Sequence, residues 1–500
     1  MKLPRPDRPL LFAFLAGALL PLAFAPFFIY PIAVLAPALL FYLWREGSAV
    51  EAGWRGFAFG MGQFGVGVSW VYVAVHETGG TPAPVAALLT LLFAALLASI
   101  PALVGYLAVR LRQRVVVGER LLYLLWLPCW WVLGEWLRGW LFTGFPWLNL
   151  GYSMIDTPLS GFASLLGVYG ISLVVVLSAG AVTLLWQQRL HAAPIALPLL
   201  LLLWGGGYGL SQIGWTQPWG QPLRVTLIQG NVPQSTKWDP KAVSYRLQTY
   251  ADLTYENLPH SDLIIWPENA VTVFHHQLIE DYFDPMAEDA RAHGVDLILG
   301  VPELDEDGVS YYTTMMSLGS QNVFYRKRHL VPFGEYMPLG FLRGLINFFD
   351  LPMSSFSPGS NEQPLLEAAG HKVAATVCYE DAFGEEMIDF LPAATLLVNG
   401  SNNAWYGDSL APHQHLQISR MRALETGRPM LRATTNGISA LINEKGEIQQ
   451  RSKQFERDVI RGEVQGFEGA TPYVRYGNWA VVLFALFALL LTLFSQRRRC

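Results

Sequence analysis

Two hydropathy regimes divide the chain. Between residues 10 and 210 it is a succession of apolar runs, near 10–25, 28–44, 56–75, 84–109, 121–140, 162–186 and 193–210, and one more follows at 479–494. A helix that crosses a bilayer takes roughly 17–25 residues, so the runs predict about eight membrane spans. The first two are short and are separated by Pro26 and Pro31, the pattern of a helical hairpin. Lys2, Arg5 and Arg8 ahead of an apolar stretch ending in Ala23-Phe24-Ala25 imitate a cleaved leader. Pro26 directly after that point, and a second apolar segment at once, favour a retained anchor.

From about Leu223 the periodicity changes. Short β-rich runs occur at 224–228, 262–266, 296–301, 323–326, 372–377, 395–398, 431–434, 440–443 and 459–464, with helical patterns at 241–257, 277–293 and 413–426. Several runs are wholly apolar, as expected of strands covered on both faces. The expectation is a polytopic α-helical membrane protein with an inserted α/β domain. Its parts are 1–215 with about seven spans, 220–475 as the domain, and 476–500 as a last span and tail.

Charge sharpens this division. Hydrophobic residues make up 52% of the chain and charged residues 15%, against about 25% charged in a soluble globular protein. Of the 73 Asp, Glu, Lys and Arg residues, 52 lie between Leu223 and Tyr476, with 20 basic and 32 acidic, a net of −12. That balance excludes nucleic acid as the domain's partner. The basic residues outside it are Lys2, Arg5, Arg8, Arg45, Arg55, Arg110, Arg112, Arg114, Arg120, Arg189, Arg497, Arg498 and Arg499 on one side of the predicted spans, and Arg138 alone on the other. Basic loops stay in the cytoplasm. Both termini are therefore expected there, and the domain on the outer face, the periplasm of a bacterium with two membranes.

Inside the apolar part, Glu135 stands with Trp131, Trp136, Arg138 and Trp140 around it. A carboxylate is costly at that depth, so Glu135 is either functional or ion-paired with Arg138. The loop 143–152, Thr-Gly-Phe-Pro-Trp147-Leu-Asn-Leu-Gly-Tyr, is either part of an aromatic belt or the lining of a lipid-accessible pocket. Of the three cysteines, Cys129 lies in an apolar run and Cys500 is the last residue, which leaves Cys378 alone in the domain, with no disulfide framework. The domain has no Gly-rich phosphate loop and no CxxC or HExxH pattern. The pairs His275-His276 and His413/His415 read as surface histidines or as histidines behind a site. No metal or cofactor is expected.

Three polar groups stand where β-rich runs end. Glu268 closes Leu-Ile-Ile-Trp-Pro-Glu, Lys327 follows Val-Phe-Tyr-Arg, and Cys378 closes Val-Ala-Ala-Thr-Val-Cys. Strand ends along one edge of an α/β sheet are where sites are built. A carboxylate can take a thiol proton, and an ammonium can lower the thiol pKa and hold an oxyanion. The alternative is an inert core cysteine beside a surface ion pair.

The strings Trp-Pro-Glu268-Asn, Tyr-Arg-Lys327-Arg-His-Leu-Val-Pro-Phe-Gly-Glu335 and Val-Cys378-Tyr379-Glu380-Asp resemble, in that order, the carbon–nitrogen hydrolase (nitrilase) superfamily. The resemblance implies an α-β-β-α sandwich with a Glu268–Lys327–Cys378 triad. Gln229–Trp238, Phe-Gly-Glu335, Ser401–Asp408 and the loop 143–152 are similar to the apolipoprotein N-acyltransferase family within it. One departure is at Tyr311-Tyr-Thr-Thr314, where the family pattern carries an asparagine after the tyrosines.

That resemblance implies transfer of a fatty acyl chain from a phospholipid, typically phosphatidylethanolamine, to the α-amino group of a diacylglyceryl-modified N-terminal cysteine of an apolipoprotein. The route is a ping-pong through a Cys378 thioester in the inner membrane. It implies supporting roles for Glu335, Glu380 and Tyr379 and substrate contacts at Trp238 and Trp147. A membrane-tethered amidase acting on a small amide is the alternative that uses the same three residues.

Overall fold

The β-rich runs fold into twelve strands among the described residues: β1 (Thr216–Gln229), β2 (Leu263–Ile265), β3 (Asp296–Leu304), β4 (Tyr311–Leu318), β5 (Phe324–Arg326), β6 (Leu366–Ala368), β7 (His371–Val377), β8 (Leu396–Ser401), β9 (Met430–Thr434), β10 (Ala440–Ile442), β11 (Ile448–Arg451) and β12 (Asp458–Gly469). The computed structural model describes residues 8–115, 117–237, 239–336 and 355–497. It resolves into two compact units. One holds Met1–Tyr72, Pro82–Gly214 and Arg475–Cys500, the other Val73–Thr81 and Trp215–Val474.

The second unit contains two six-stranded sheets, in the orders β12-β1-β2-β3-β4-β5 and β11-β10-β9-β8-β7-β6. Each is parallel through its middle, β1-β2-β3 in one and β7-β8-β9 in the other. Alternation along β2 shows how the layers arise. Leu263 and Ile265 join the core shared by the two sheets, with Val225, Leu227, Val373, Val398 and Leu431. Ile264 and Trp266 point the other way, against Tyr250 of helix Val243–Tyr255 and Met286 and Ala290 of helix Asp284–Ala292. Helix Leu410–Thr426 packs on the second sheet, with Leu416 and Ala423 in its core. The layers are helix, sheet, sheet, helix. Glu268, Lys327 and Cys378 all follow the C-terminal ends of strands, where the parallel topology opens a crevice.

β4, β6 and β11, absent from the sequence expectation, complete the sheets. The segment Val73–Thr81 also belongs to this unit. The Thr78 hydroxyl donates to the carbonyl of Trp405 at 2.9 Å.

The other unit is helical. Among the described residues, three helices are long and apolar enough to cross a membrane: Ala83–Arg112, Pro158–Gln188 and Ala193–Ser211. Ala49–Gly67 and Trp70–Thr78, bent by 51° at their junction, make a fourth when taken together, and Arg8–Ala23, Pro31–Trp44 and Trp479–Phe494 are shorter apolar helices. Ser48 and Glu51 form a reciprocal capping box at the start of Ala49–Gly67. Gly17 and Gly62 let the first and third apolar segments meet backbone to backbone, since a Cβ at either would overlap the facing chain.

Candidate functional site

Lys327, Glu335 and Glu268 form the centre of the site. The Lys327 ammonium, 1% exposed, lies 2.6 Å from Glu335 Oε1 and 3.7 Å from Glu268 Oε1. Lys327 leaves β5 with its N–H donating to the Thr313 carbonyl of β4 at 2.9 Å. Thr313, at the departure from the family pattern, has a buried hydroxyl with no partner among the described residues. Glu335 is fixed by its second oxygen, which accepts from the Val331 N–H at 2.7 Å. Glu268 can approach because residue 300 is glycine: a Cβ there would overlap the Pro267 carbonyl and the Glu268 backbone.

Cys378 ends β7 in the left-handed region, with φ at +52°. A non-glycine residue there carries strain that the surroundings must hold. Its carbonyl accepts from Asn399 Nδ2 and contacts His415 Nε2, each at 3.1 Å. The same ring nitrogen lies 2.8 Å from Asp381 Oδ1, and Asp381 meets Arg432 at 3.3 Å. Arg432 in turn reaches Asn399 Oδ1 at 2.6 Å. His415, Asp381, Asn399 and Arg432 are all at most 2% exposed. They form a polar bed under the Cys378 turn that sequence reasoning missed beyond placing His415 behind a site.

The Asn402 N–H donates to Glu268 Oε2 at 2.8 Å, and the Asn402 backbone also pulls the Cys378 pKa down.

Electrostatics assigns protonation states. Burial alone would pull the Lys327 ammonium down, but the carboxylates of Glu335 and Glu268 outweigh it and hold its pKa above the ordinary lysine value. Burial pushes the Cys378 thiol up, Glu268 adds to that rise, and Lys327 opposes it. The expected lowering of the thiol pKa by the ammonium is therefore right in sign and too small to win. The Cys378 sulfur is held as a neutral S–H. Burial raises Glu335 as well, against the pull of Lys327.

Glu380 has a different task. It accepts from the N–H groups of Arg328 (2.6 Å) and His329 (3.0 Å) beside Lys327, from Val377 N–H (2.7 Å) beside Cys378, and from the Tyr325 hydroxyl (3.0 Å). It brackets the two strand ends together. Tyr379, next to the nucleophile, sits edge-on to Phe383 at 5.0 Å. Tyr406 was also missed. Burial and then Cys378 push its pKa up, so the phenol stays neutral beside the site.

Two candidates remain. Trp238 falls outside the described residues. Trp147 belongs to the helical unit, where it is buried and packs with Trp70 at 5.5 Å and Phe145 at 6.0 Å. Glu135 and Arg138 hold that loop. Glu135 Oε1 accepts from Trp131 Nε1 and from Leu150 N–H, both at 3.0 Å. Arg138 donates to the carbonyls of Phe145 and Trp147 and to Asn149 Oδ1, each at 2.5 Å.

Comparison with known proteins agrees with this division. Residues 16–181 match the model of the apolipoprotein N-acyltransferase N-terminal domain, and residues 224–473 match that of carbon-nitrogen hydrolase. An apolipoprotein N-acyltransferase of Nitrosomonas europaea is 46% identical, covering 98% of both chains. Those of Methylococcus capsulatus (44% identical, 95% of this chain and 93% of that one) and Azotobacter vinelandii (43%, 98% and 95%) are similar to the same extent. The chain belongs to the apolipoprotein N-acyltransferase family. It is an acyltransferase of the nitrilase superfamily, and its apolar helices fit the membrane setting of that family.

Proposed function

We propose that Glu268, Lys327 and Cys378 transfer an acyl chain from a phospholipid to the N-terminal amine of a diacylglyceryl-modified apolipoprotein through a thioester on Cys378. The observation that carries this reading is the Lys327 ammonium, buried between two carboxylates at the strand ends that also bear a strained, neutral thiol. Glu268 takes the thiol proton as sulfur attacks the ester carbonyl. Lys327 and the Tyr379 N–H receive the charge on the carbonyl oxygen. As the intermediate collapses, the C–O bond breaks and Glu268 returns the proton to the lysophospholipid alkoxide. In the second half the acceptor amine attacks the thioester, Glu268 takes a proton from the nitrogen, and the thiol is regenerated. Glu335 orients Lys327.

Phosphatidylethanolamine, taken laterally, suits a site served by apolar helices, because each CH₂ withdrawn from a bilayer costs about 0.8 kcal/mol. Trp147 and Trp238 are assigned to contacts with the substrates. About eight spans are read from the apolar runs, and cytoplasmic termini with a periplasmic domain from the placement of basic residues.

Intact-mass analysis after incubation with phospholipid alone tests the chemistry. Cys378 should gain one acyl group and release one equivalent of lysophospholipid, and a protein that stays unmodified sinks the thioester. Topology is tested by Asp307→Cys, at an exposed turn. It should react with an impermeant maleimide once the outer membrane is opened, while Cys500 stays protected until the inner membrane is broken. The reverse pattern inverts the orientation.

A further inference from the structure

A second lysine is buried beside the site, and its surroundings differ from those of Lys327. Lys237 ends the short helix Gln234–Lys237 and is 2% exposed. Its ammonium donates to the Glu268 carbonyl at 3.1 Å, the one acceptor it reaches among the described residues. An ammonium has three N–H donors, so two are unspent. Among the described residues no carboxylate forms an ion pair with it, and the charged and titratable groups that face it are Glu268, Cys378 and Arg246. Arg246 is occupied in holding the helix, donating to the carbonyls of Thr236 at 2.8 Å and Asp239 at 3.2 Å and to the Thr272 hydroxyl at 2.6 Å. Burial is costly to a cation that has no salt-bridged partner; Glu268 offsets part of that cost, and an anionic ligand arriving at the site would offset more of it.

We propose that Lys237 receives the phosphodiester of the acyl donor. This rests on the reading of Cys378 as the acylated residue. The phosphate of a glycerophospholipid sits a few bonds from its sn-1 ester, so a lipid whose ester carbonyl lies at Cys378 carries its negative charge into the neighbourhood of that thiol and of Glu268, where Lys237 stands. The diacylglyceryl group of the acceptor has no phosphate. Lys237 therefore serves the first half-reaction and selects phospholipid over an uncharged glyceride. Burial brings its pKa down to about 8, with Glu268 and Cys378 opposing the fall. The charge is present at neutral pH and fades above that value.

The test compares two donors with the same acyl chains in mixed micelles, a phospholipid and a diacylglycerol, with acyl-enzyme formation read by intact mass. In Lys237→Met the ratio of phospholipid to diacylglycerol kcat/KM should fall about 10-fold or more, the scale of a lost charge-assisted hydrogen bond. Lys237→Arg should keep the ratio. In the unsubstituted protein the ratio should fall as pH rises through about 8, and in Lys237→Arg it should not. The diacylglycerol rate reports folding of each variant in the same assay.

Equal losses with both donors would make Lys237 a positioning residue for Glu268 and overturn the proposal, as would no loss with either. Inorganic phosphate should compete with phospholipid in the unsubstituted protein and not in Lys237→Met. Competition by phosphate with the donor ratio unchanged in Lys237→Met would assign the site to a free anion and overturn the lipid assignment. If the triad itself is misread, no adduct forms on Cys378 with either donor, an outcome distinct from all of these.

Discussion

In the helical unit, Arg138 places its guanidinium against the carbonyls of Phe145 and Trp147 and the amide of Asn149, while Glu135 takes the indole of Trp131 and the N–H of Leu150. At the strand ends, Lys327 faces Glu335 and Glu268 with Cys378 close by. Both regions bury charge, but they use it differently. The contacts of Glu135 and Arg138 hold one loop in one shape. The cluster around Lys327 sets two carboxylates against one ammonium, and a second buried ammonium, Lys237, faces one of them, Glu268. Buried charge spent on the N–H and carbonyl groups of a loop fixes a shape, whereas buried charges that face one another beside a thiol are placed for chemistry.

Substitutions at the strand ends should therefore stop the reaction, and substitutions at the loop should soften the scaffold. The largest effect is expected at the nucleophile. Cys378→Ser should reduce acyl transfer to background, because a hydroxyl ionises far less readily than a thiol, whereas Cys129→Ala should transfer at close to the normal rate. Transfer of more than a trace by Cys378→Ser would remove the thioester from the mechanism.

Next come the charged partners. Glu268→Gln and Lys327→Met should each slow acyl-enzyme formation by about 10² or more, in single-turnover measurements on protein that keeps its circular dichroism spectrum. Either variant acylating normally would strip that residue of its role.

These two losses should be separable by thiol titration. Glu268 pushes the Cys378 pKa up and Lys327 pulls it down. Iodoacetamide labelling against pH, in a Cys129→Ala/Cys500→Ser background, should thus shift to lower pH in Glu268→Gln and to higher pH in Lys327→Met. Shifts in the same direction would mean that the two charges do not oppose each other at the sulfur.

The smallest chemical effect belongs to the loop. Arg138→Leu leaves three carbonyl-type acceptors without their donor and should lower the thermal midpoint by a few degrees, at about 1–3 kcal/mol for the lost interactions. The labelling profile of Cys378 should not move. An altered profile with unchanged stability would erase the contrast between the regions.

Much of this was legible in the residue order because the chemistry sits where patterns stop. Glu268, Lys327 and Cys378 each terminate an apolar run, and a run that ends in a charged or reactive group is visible without coordinates. β4 was not visible, since Tyr-Tyr-Thr-Thr-Met-Met-Ser-Leu lacks an aliphatic run. Its buried Thr314 hydroxyl is satisfied by the Val301 carbonyl at 2.6 Å, a partner that only the register supplies. The edge strands β6 and β11 are too short to show a period. The bed under Cys378 was hidden for another reason. Asp381, Asn399, His415 and Arg432 come from four separate elements, and each is an ordinary polar residue until the sheets bring them under one carbonyl. Ser419, one helical turn after His415, also donates to Asp381, and that spacing is the sole local hint. Lys237 was passed over because a lysine beside a loop reads as solvated, and its burial depends on the packing of distant segments.

The strip Val73–Thr81 means that the catalytic unit is not one continuous stretch of the gene. A polypeptide cut out at Trp215 and Val474 would carry both sheets and every strand-end side chain, yet it would leave behind the Thr78 hydroxyl that caps the Trp405 carbonyl, one residue from Tyr406. Transplanting that stretch onto a foreign membrane anchor would move the reactive groups without this piece of their wall. A mutation in the tip of the third apolar segment is, by the same reasoning, a mutation in the catalytic unit, so the two parts of the chain are constrained to change together.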